Sequence, residues 1–315
     1  MTIRKISKRL ISALGIVLLS AQALADHHGN KVTVQQASDR VRIEINGELF
    51  TEYFFKDVQK PYFHPVIGPT GDSVTRGYPM KHNPGEAKDH PHHTGLWFTH
   101  GDVNGFDFWH KTKIVHDHFK EIVTGKSKGG FTELNRWIDN EGNTVLLEER
   151  TFIIQGSNSP RILDISTKLT AAQEKVVFGD TKEGSMAIRL AASMRLEGDV
   201  AQGHIINSEG LKDGKTWGKR AKWVDYHGPV NGKTVGVAIF DNPDNPRYPT
   251  WWHVRPYGLF AANPFGIHDF EKKPAKTGDL PLKQGESVRF SYRFVFHEGD
   301  AAAANIEALY QDYTK

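Results

Sequence analysis

Val288-Arg-Phe-Ser-Tyr-Arg-Phe-Val-Phe-His297 sets Val288, Phe290, Tyr292, Phe294 and Phe296 at every second position, with Arg289, Ser291, Arg293 and His297 between them. Successive side chains of a strand point to opposite faces, so a period of two predicts a half-buried antiparallel strand. Upstream, Val41, Ile43 and Ile45 alternate with charged residues before the turn pair Asn46-Gly47. Residues 144–154, 163–169, 187–196 and 235–240 read as further strands, separated by turn signals such as Asn140-Glu-Gly142, Asp213-Gly214 and Asn231-Gly232. Only residues 301–313 read as helix, with Asp300 as the cap and Ile306, Leu309, Tyr310 and Tyr313 as one apolar stripe. The expected fold is all-β: a large antiparallel β-sandwich closed by a C-terminal helix, one domain spanning residues 26–315.

The first 25 residues have a different pattern. Arg4, Lys5, Lys8 and Arg9 precede the apolar run Leu10-Ile-Ser-Ala-Leu-Gly-Ile-Val-Leu-Leu19, which ends in Ala23-Leu-Ala25. Basic start, short apolar run and small-x-small end are the three parts of a secretory signal peptide, so a periplasmic protein is expected. No later stretch reaches the length of a membrane span. The chain has 40 Lys and Arg against 37 Asp and Glu; without its four leading cations it carries a net charge of −1. Such a near-neutral body gives no electrostatic basis for nucleic-acid binding. Cysteine is absent, which excludes disulfides and thiolate chemistry. Walker, dinucleotide-binding and Gly-x-Ser-x-Gly signatures are also missing.

Nine of the 16 histidines fall between His64 and His118, most densely in Asp89-His-Pro-His-His93 and on to His100 and Trp109. In an extended chain His90 and His92 would point one way and His93 the other. Imidazoles suit proton transfer near neutral pH and metal binding alike, and Asp89, Asp102 and Asp107 are placed to orient them. Three readings stay open at this point: a polar-ligand site, a metal site using His90, His92 and His100, and histidines that only satisfy turns. Trp251-Trp-His-Val-Arg-Pro-Tyr257, and Trp217 through Tyr226, add stacking surfaces and cations suited to sugar rings.

The run from His90-Pro-His-His93 through His100-Gly-Asp-Val-Asn-Gly-Phe-Asp-Phe-Trp109 resembles the bacterial PmoA-like family of unknown function. So do Phe178-Gly-Asp-Thr-Lys-Glu-Gly184, Trp217-Gly-Lys219 with Trp223-Val-Asp-Tyr226, and Trp252-His-Val-Arg255 with Ala262-Asn-Pro-Phe265. The methane oxidation implied by that label belongs to membrane-spanning subunits and is not carried over. Locally, His100 through Trp109 is similar to the His-Gly-Gly-x-x-Gly-Phe-Asp stretch of galactose mutarotase-type aldose 1-epimerases. Leu282-Lys-Gln-Gly-Glu286 is similar to their Pro-Gly-Glu turn. That resemblance implies a mutarotase-like sandwich, a binding role for His100 and a base role for Glu286. Gln284 replaces the proline, and Asp180-Thr-Lys-Glu183 stands where their second histidine would fall.

These readings combine into an expected carbohydrate-active enzyme, a lyase, hydrolase or epimerase, working by histidine and carboxylate acid–base chemistry. His93, His100, Glu183 and Glu286 are the candidate proton-transfer groups. His90, His92, Asp102, Trp109, Lys182, Arg189, His253, Arg255 and Asn263 are the candidate substrate-binding set. The expected partner is a small-molecule or oligosaccharide ligand, with no cofactor required. A non-catalytic glycan-binding protein and a histidine-ligated, divalent-metal oxidoreductase are the alternatives.

Overall fold

The computed structural model describes residues 31–83 and 86–315, and the signal-like segment lies outside them. Among the described residues the strands form two large antiparallel sheets and one small one. The nine-stranded sheet runs, from one edge, Trp251–Val254, Leu259–Asn263, Gly184–Arg189, Leu96–His100, Tyr62–Val66, Glu48–Phe54, Arg40–Ile45, Lys31–Gln36 and Gly125–Lys126. The eight-stranded sheet runs His204–Asn207, Trp223–Val230, Lys233–Asp241, Ser287–Glu298, Arg161–Ala171, Thr144–Gln155, Lys128–Ile138 and Lys113–Val123. Lys175–Phe178 pairs with Leu280–Lys283 in the small sheet, which anchors the loop at 179–183. The architecture is the expected antiparallel sandwich.

Ser287–Glu298 lies inside its sheet, paired with Arg161–Ala171 on one side and Lys233–Asp241 on the other. Its period-two face of Val288, Phe290, Tyr292, Phe294 and Phe296 is buried in the main core. Phe290 meets Phe98 and Phe265 there, and Phe296 meets Phe50. Each fully buried Phe contributes about 1.5–3 kcal/mol relative to exposure, which specifies the register of this strand. On its other face Arg293 pairs with Asp164 at 2.6 Å.

Two expected elements come out shorter. The strand at 187–196 is observed as Gly184–Arg189, because Met194 N–H bonds to Ala191 and closes a 3₁₀ turn that buries Met194. The C-terminal helix is Ile306–Tyr313: Asp300 does accept a hydrogen bond from Ala303 N–H, but Asn305 adopts a left-handed conformation and interrupts the first turns. Its apolar stripe packs on Trp223, Ala238, Phe240 and Val295. A short helix at Ile267–Glu271 has no counterpart in the sequence reading.

Thr144–Gln155 turns Glu148 and Arg150 inward and leaves Leu147 and Ile153 exposed. Arg150 bonds Glu148 at 2.7 Å and the Tyr53 hydroxyl at 3.2 Å, while Glu148 also accepts from Thr167, Trp137 and Asn135. Tyr53 in turn donates to Glu133, whose other oxygen meets His116. A buried pair of this kind costs desolvation, but removing one member strands the other charge. Arg150→Met, which leaves Glu148 buried and unpaired, is therefore expected to lower unfolding free energy by about 3–5 kcal/mol in urea titration. A loss below about 1 kcal/mol would mean that the network is not closed in solution.

Candidate functional site

The outer face of the nine-stranded sheet carries a row of residues in register: Tyr62, Trp97, Ala187, Ala261 and His253. Small residues at the centre and rings at the ends leave room for a second apolar layer. Trp109 packs there against Trp97, Ala187, Leu259 and Ala261 of the sheet, with Tyr62 and Tyr257 beside them. The polar site is built on this layer.

One side of the site is a turn. His93 N–H bonds to His90 C=O at 3.1 Å, and Pro91 sits between them, where a turn favours proline. The extended geometry expected for His90, His92 and His93 is thereby replaced, and their rings converge. Ring centroids are 4.9 Å apart for His90 and His93, 4.4 Å for His92 and His93, and 5.7 Å for His90 and His92. His90 itself has φ of +46°, a strained conformation for a residue other than glycine.

Two buried guanidiniums hold this turn. Arg189 donates to Asp89 at 3.0 Å and to Nδ1 of His93 at 3.0 Å. Arg76 donates to Asp89 Oδ1 at 2.6 Å and to the His90 carbonyl at 3.0 Å. Partial burial works to raise the Asp89 carboxyl, but the charge of Arg189, with hydrogen bonds from His90 and Arg189, outweighs it and holds the group at about 2. The other Asp89 oxygen meets His90 Nδ1 at 2.6 Å. Lys60 lies beneath, bonding the carbonyls of His92 and Trp109 at 2.9 and 3.3 Å, and burial pushes its ammonium down to about 7. His92 packs 4.1 Å from the His110 ring, and its Nε2 is buried without a partner. Burial first, then His110 and Lys60, push His92 down to about 3, and burial drives His93 lower still.

The opposite side is the turn Arg255-Pro-Tyr-Gly258, closed by Gly258 N–H on the Arg255 carbonyl at 3.0 Å. Gly258 has φ of +89°, open to glycine without strain. Tyr257 stacks parallel to His90 at 5.1 Å, which joins the two turns. The Arg255 guanidinium lies 5.6 Å from the Tyr257 ring and 5.8 Å from the Trp217 ring. Trp217 Nε1 donates to His253 Nδ1 at 3.1 Å; burial, then Arg255 and Lys182, push His253 down to about 3. Lys182 pairs with Glu183 at 3.2 Å in the 179–183 loop. That loop is tied down where Asp180 accepts from His268 and Gly278 N–H, Asp269 from Lys182 N–H, and Thr181 C=O from Asn263.

Several sequence candidates fall outside this cluster. His100 continues the strand on its interior side: its ring lies against Phe265 and Phe178, and Nε2 bonds the Gly179 carbonyl at 2.8 Å. Burial pushes it down to about 4. The alternative metal set of His90, His92 and His100 is therefore not assembled, and among the described residues no three ligating side chains converge on a metal position. Asp102 accepts from Gly105 N–H and shapes its own turn. The Glu286 carboxylate accepts from Lys283 N–H within its own turn. Asn263 accepts from Phe265 and Gly266 N–H and acts on the loop. Arg76, Lys60 and His110 belong to the cluster and were missed, since each reaches it by tertiary contact across 13 or more residues of chain. Two surface clefts, of about 520 and 390 Å³, are lined by other residues, around Gly210–Lys215 and around His204, Asp213 and His227.

A sequence-family profile described as a family of unknown function (DUF6807) matches residues 40–311, and the chain belongs to that family. A methane-oxygenase name is no part of that description. No curated protein matches the chain in sequence. Among solved structures, an α-galactosidase from Lactobacillus brevis is 12% identical, with a TM-score of 0.46 over 87% of this chain and 40% of its own. An α-galactosidase from Geobacillus stearothermophilus is 10% identical, with a TM-score of 0.44 over 86% and 41%. A galactose mutarotase-like protein from Lactobacillus casei is 8% identical, with a TM-score of 0.32 over 84% and 100%. The chain thus spans about two fifths of the galactosidases it is similar to.

Buried neutral histidines make stability depend on pH. His100 at about 4 and His253 at about 3 stay neutral in the folded chain while an unfolded histidine protonates near 6.5. The unfolded state then binds more protons, so stability is full above about pH 6.5 and falls as pH drops toward 4. At pH 5 each of these groups costs roughly 2 kcal/mol. Urea titrations at pH 7, 6 and 5 should show this fall, with a shallower slope in His100→Gln. An unchanged slope would remove His100 from the account.

Proposed function

We propose that this member of the unknown-function family is a carbohydrate-active enzyme in which His90, paired with Asp89, is the proton-transfer group. The carrying observation is the set of contacts on that one ring. Asp89 meets Nδ1 at 2.6 Å, and the rings of His93 and Tyr257 lie parallel to it within 10° at 4.9 and 5.1 Å. With Asp89 kept ionised by Arg189 and Arg76, the Nδ1 proton faces the carboxylate, and Nε2 keeps a lone pair to accept a proton. Once Nε2 accepts it, the imidazolium is stabilised by Asp89. His93 is less suited, because its Nδ1 already accepts from Arg189 in a fully buried position.

Glu183, half-buried and paired with Lys182, is the proposed partner that returns or receives the proton. Glu286 drops out of the pair in this reading. Tyr257 and Trp217 supply apolar ring surface for a sugar. Proton transfer by a positioned pair is common to hydrolysis, elimination and epimerisation of sugars, and the three share this arrangement. No metal enters the proposal, since Asp89 and Arg189 already engage His90 and His93. The leading 25 residues extend the same proposal to export into the periplasm, with cleavage after Ala25.

Incubation of the mature protein with glycosides, oligosaccharides and oxidised sugars, followed by NMR and mass spectrometry, should reveal a converted substrate. His90→Asn and Asp89→Asn should then lower kcat by roughly 10²–10⁴ with binding retained, while Glu286→Gln stays near wild type. Turnover is expected to survive dialysis against a chelator. Normal turnover in His90→Asn would defeat the proton-transfer assignment, and a sugar bound without conversion would leave a binding protein instead.

A further inference from the structure

We infer that the sugar bound on this face carries a carboxylate, a uronic acid, seated by Arg255 between Trp217 and Tyr257. This rests on the proposed carbohydrate site and adds its substrate class. The observation is the state of the cations around it. Arg76 and Arg189 are engaged by Asp89, Lys60 by the carbonyls of His92 and Trp109, and Lys182 by Glu183. Arg255 differs. Among the described residues its guanidinium has no carboxylate within ion-pair distance; its side-chain neighbours are Tyr257 and Trp217, with ring centroids at 5.6 and 5.8 Å.

A planar guanidinium flanked by rings keeps its edge N–H groups for an acceptor, and their fork matches the two oxygens of a carboxylate. A half-buried cation without an anion is held at an energetic disadvantage that an incoming anion removes. Two further groups fit an anion. His253 accepts at Nδ1 from Trp217, so its neutral ring carries its proton on Nε2, a donor rather than an acceptor. Arg255 and Lys182 both act electrostatically on His253, which places both cations in its neighbourhood. The same two rings that flank Arg255 offer apolar surface to a pyranose face, so one ligand bearing both a sugar ring and a carboxylate meets both halves.

Calorimetric titration of the mature chain tests this with four ligand types: methyl glucuronoside and galacturonoside, the matching neutral glycosides, the uronamides, and inorganic phosphate. Wild type should bind one of the uronosides at least about tenfold more tightly than its neutral glycoside and its amide, with phosphate failing to compete at equal ionic strength. Arg255→Gln should abolish that preference, bringing uronoside and neutral glycoside to the same affinity. Lys219→Gln, which removes an exposed nearby cation, should keep it. Should Arg255→Gln lose its circular dichroism signature, Arg255→Lys takes its place, with the preference expected to shrink but persist. Equal wild-type affinity for uronoside and neutral glycoside, or a preference that survives in Arg255→Gln, overturns the inference and leaves the carbohydrate site standing. Competition by phosphate equal to the uronoside overturns the substrate class. Failure of every sugar to bind or turn over overturns both proposals.

Discussion

Arg189 leaves the nine-stranded sheet with its side chain fully buried, and a buried guanidinium must find charged or polar partners. Asp89 and His93 are those partners, 100 and 96 residues away along the chain but 3.0 Å away in space. Removing Asp89 would leave an uncompensated buried charge, a loss on the order of 3–5 kcal/mol for an ion pair. The 89–93 turn is therefore held to the sheet by charge satisfaction as well as by packing. Its strained His90 conformation persists because the Arg76 and Arg189 contacts on either side of it over-determine the turn.

The same desolvation sorts the histidines. His92, His93, His100 and His253 are all pushed down, chiefly by burial, and stay neutral near pH 7. They act as packing rings and as fixed donors or acceptors. His90 differs, being exposed on one side and bonded to a carboxylate on the other. Density of imidazoles thus marks the site, while exposure and the second partner of each ring distinguish one imidazole from the next.

Both large sheets carry charge in unexpected places for related reasons. Glu148 and Arg150 face the sandwich interior because their even-numbered positions share a face with Leu146, Phe152 and Ile154. Once that face is committed to the core by its apolar members, the charged residues must satisfy one another, as they do with Tyr53, Thr167 and Trp137. On the nine-stranded sheet the outer face is buried too, since Trp97, Trp109 and Leu259 form an apolar layer there. The alternation of a solvated face is lost in Leu96–His100, where all five residues are buried.

Local periodicity determined the sandwich: Ser287–Glu298 and Arg161–Ala171 alternate strongly enough to specify strands and their buried faces. Composition and motif likewise marked the histidine-rich stretch, Lys182, Glu183, Arg189, His253 and Arg255 as the residues to watch. Sequence could not say which of them meet. The turn at Pro91 reverses the pointing expected of an extended chain, and Asn305 shortens a helix whose apolar stripe was legible. The separation of His100 from His90, and the arrival of Arg76, Lys60 and Tyr257 beside it, came from pairing across the sheet and between loops. Strand propensity and face alternation are properties of neighbouring residues, whereas the partner of a buried charge is set by which distant segments pack together, and only the tertiary structure decides that.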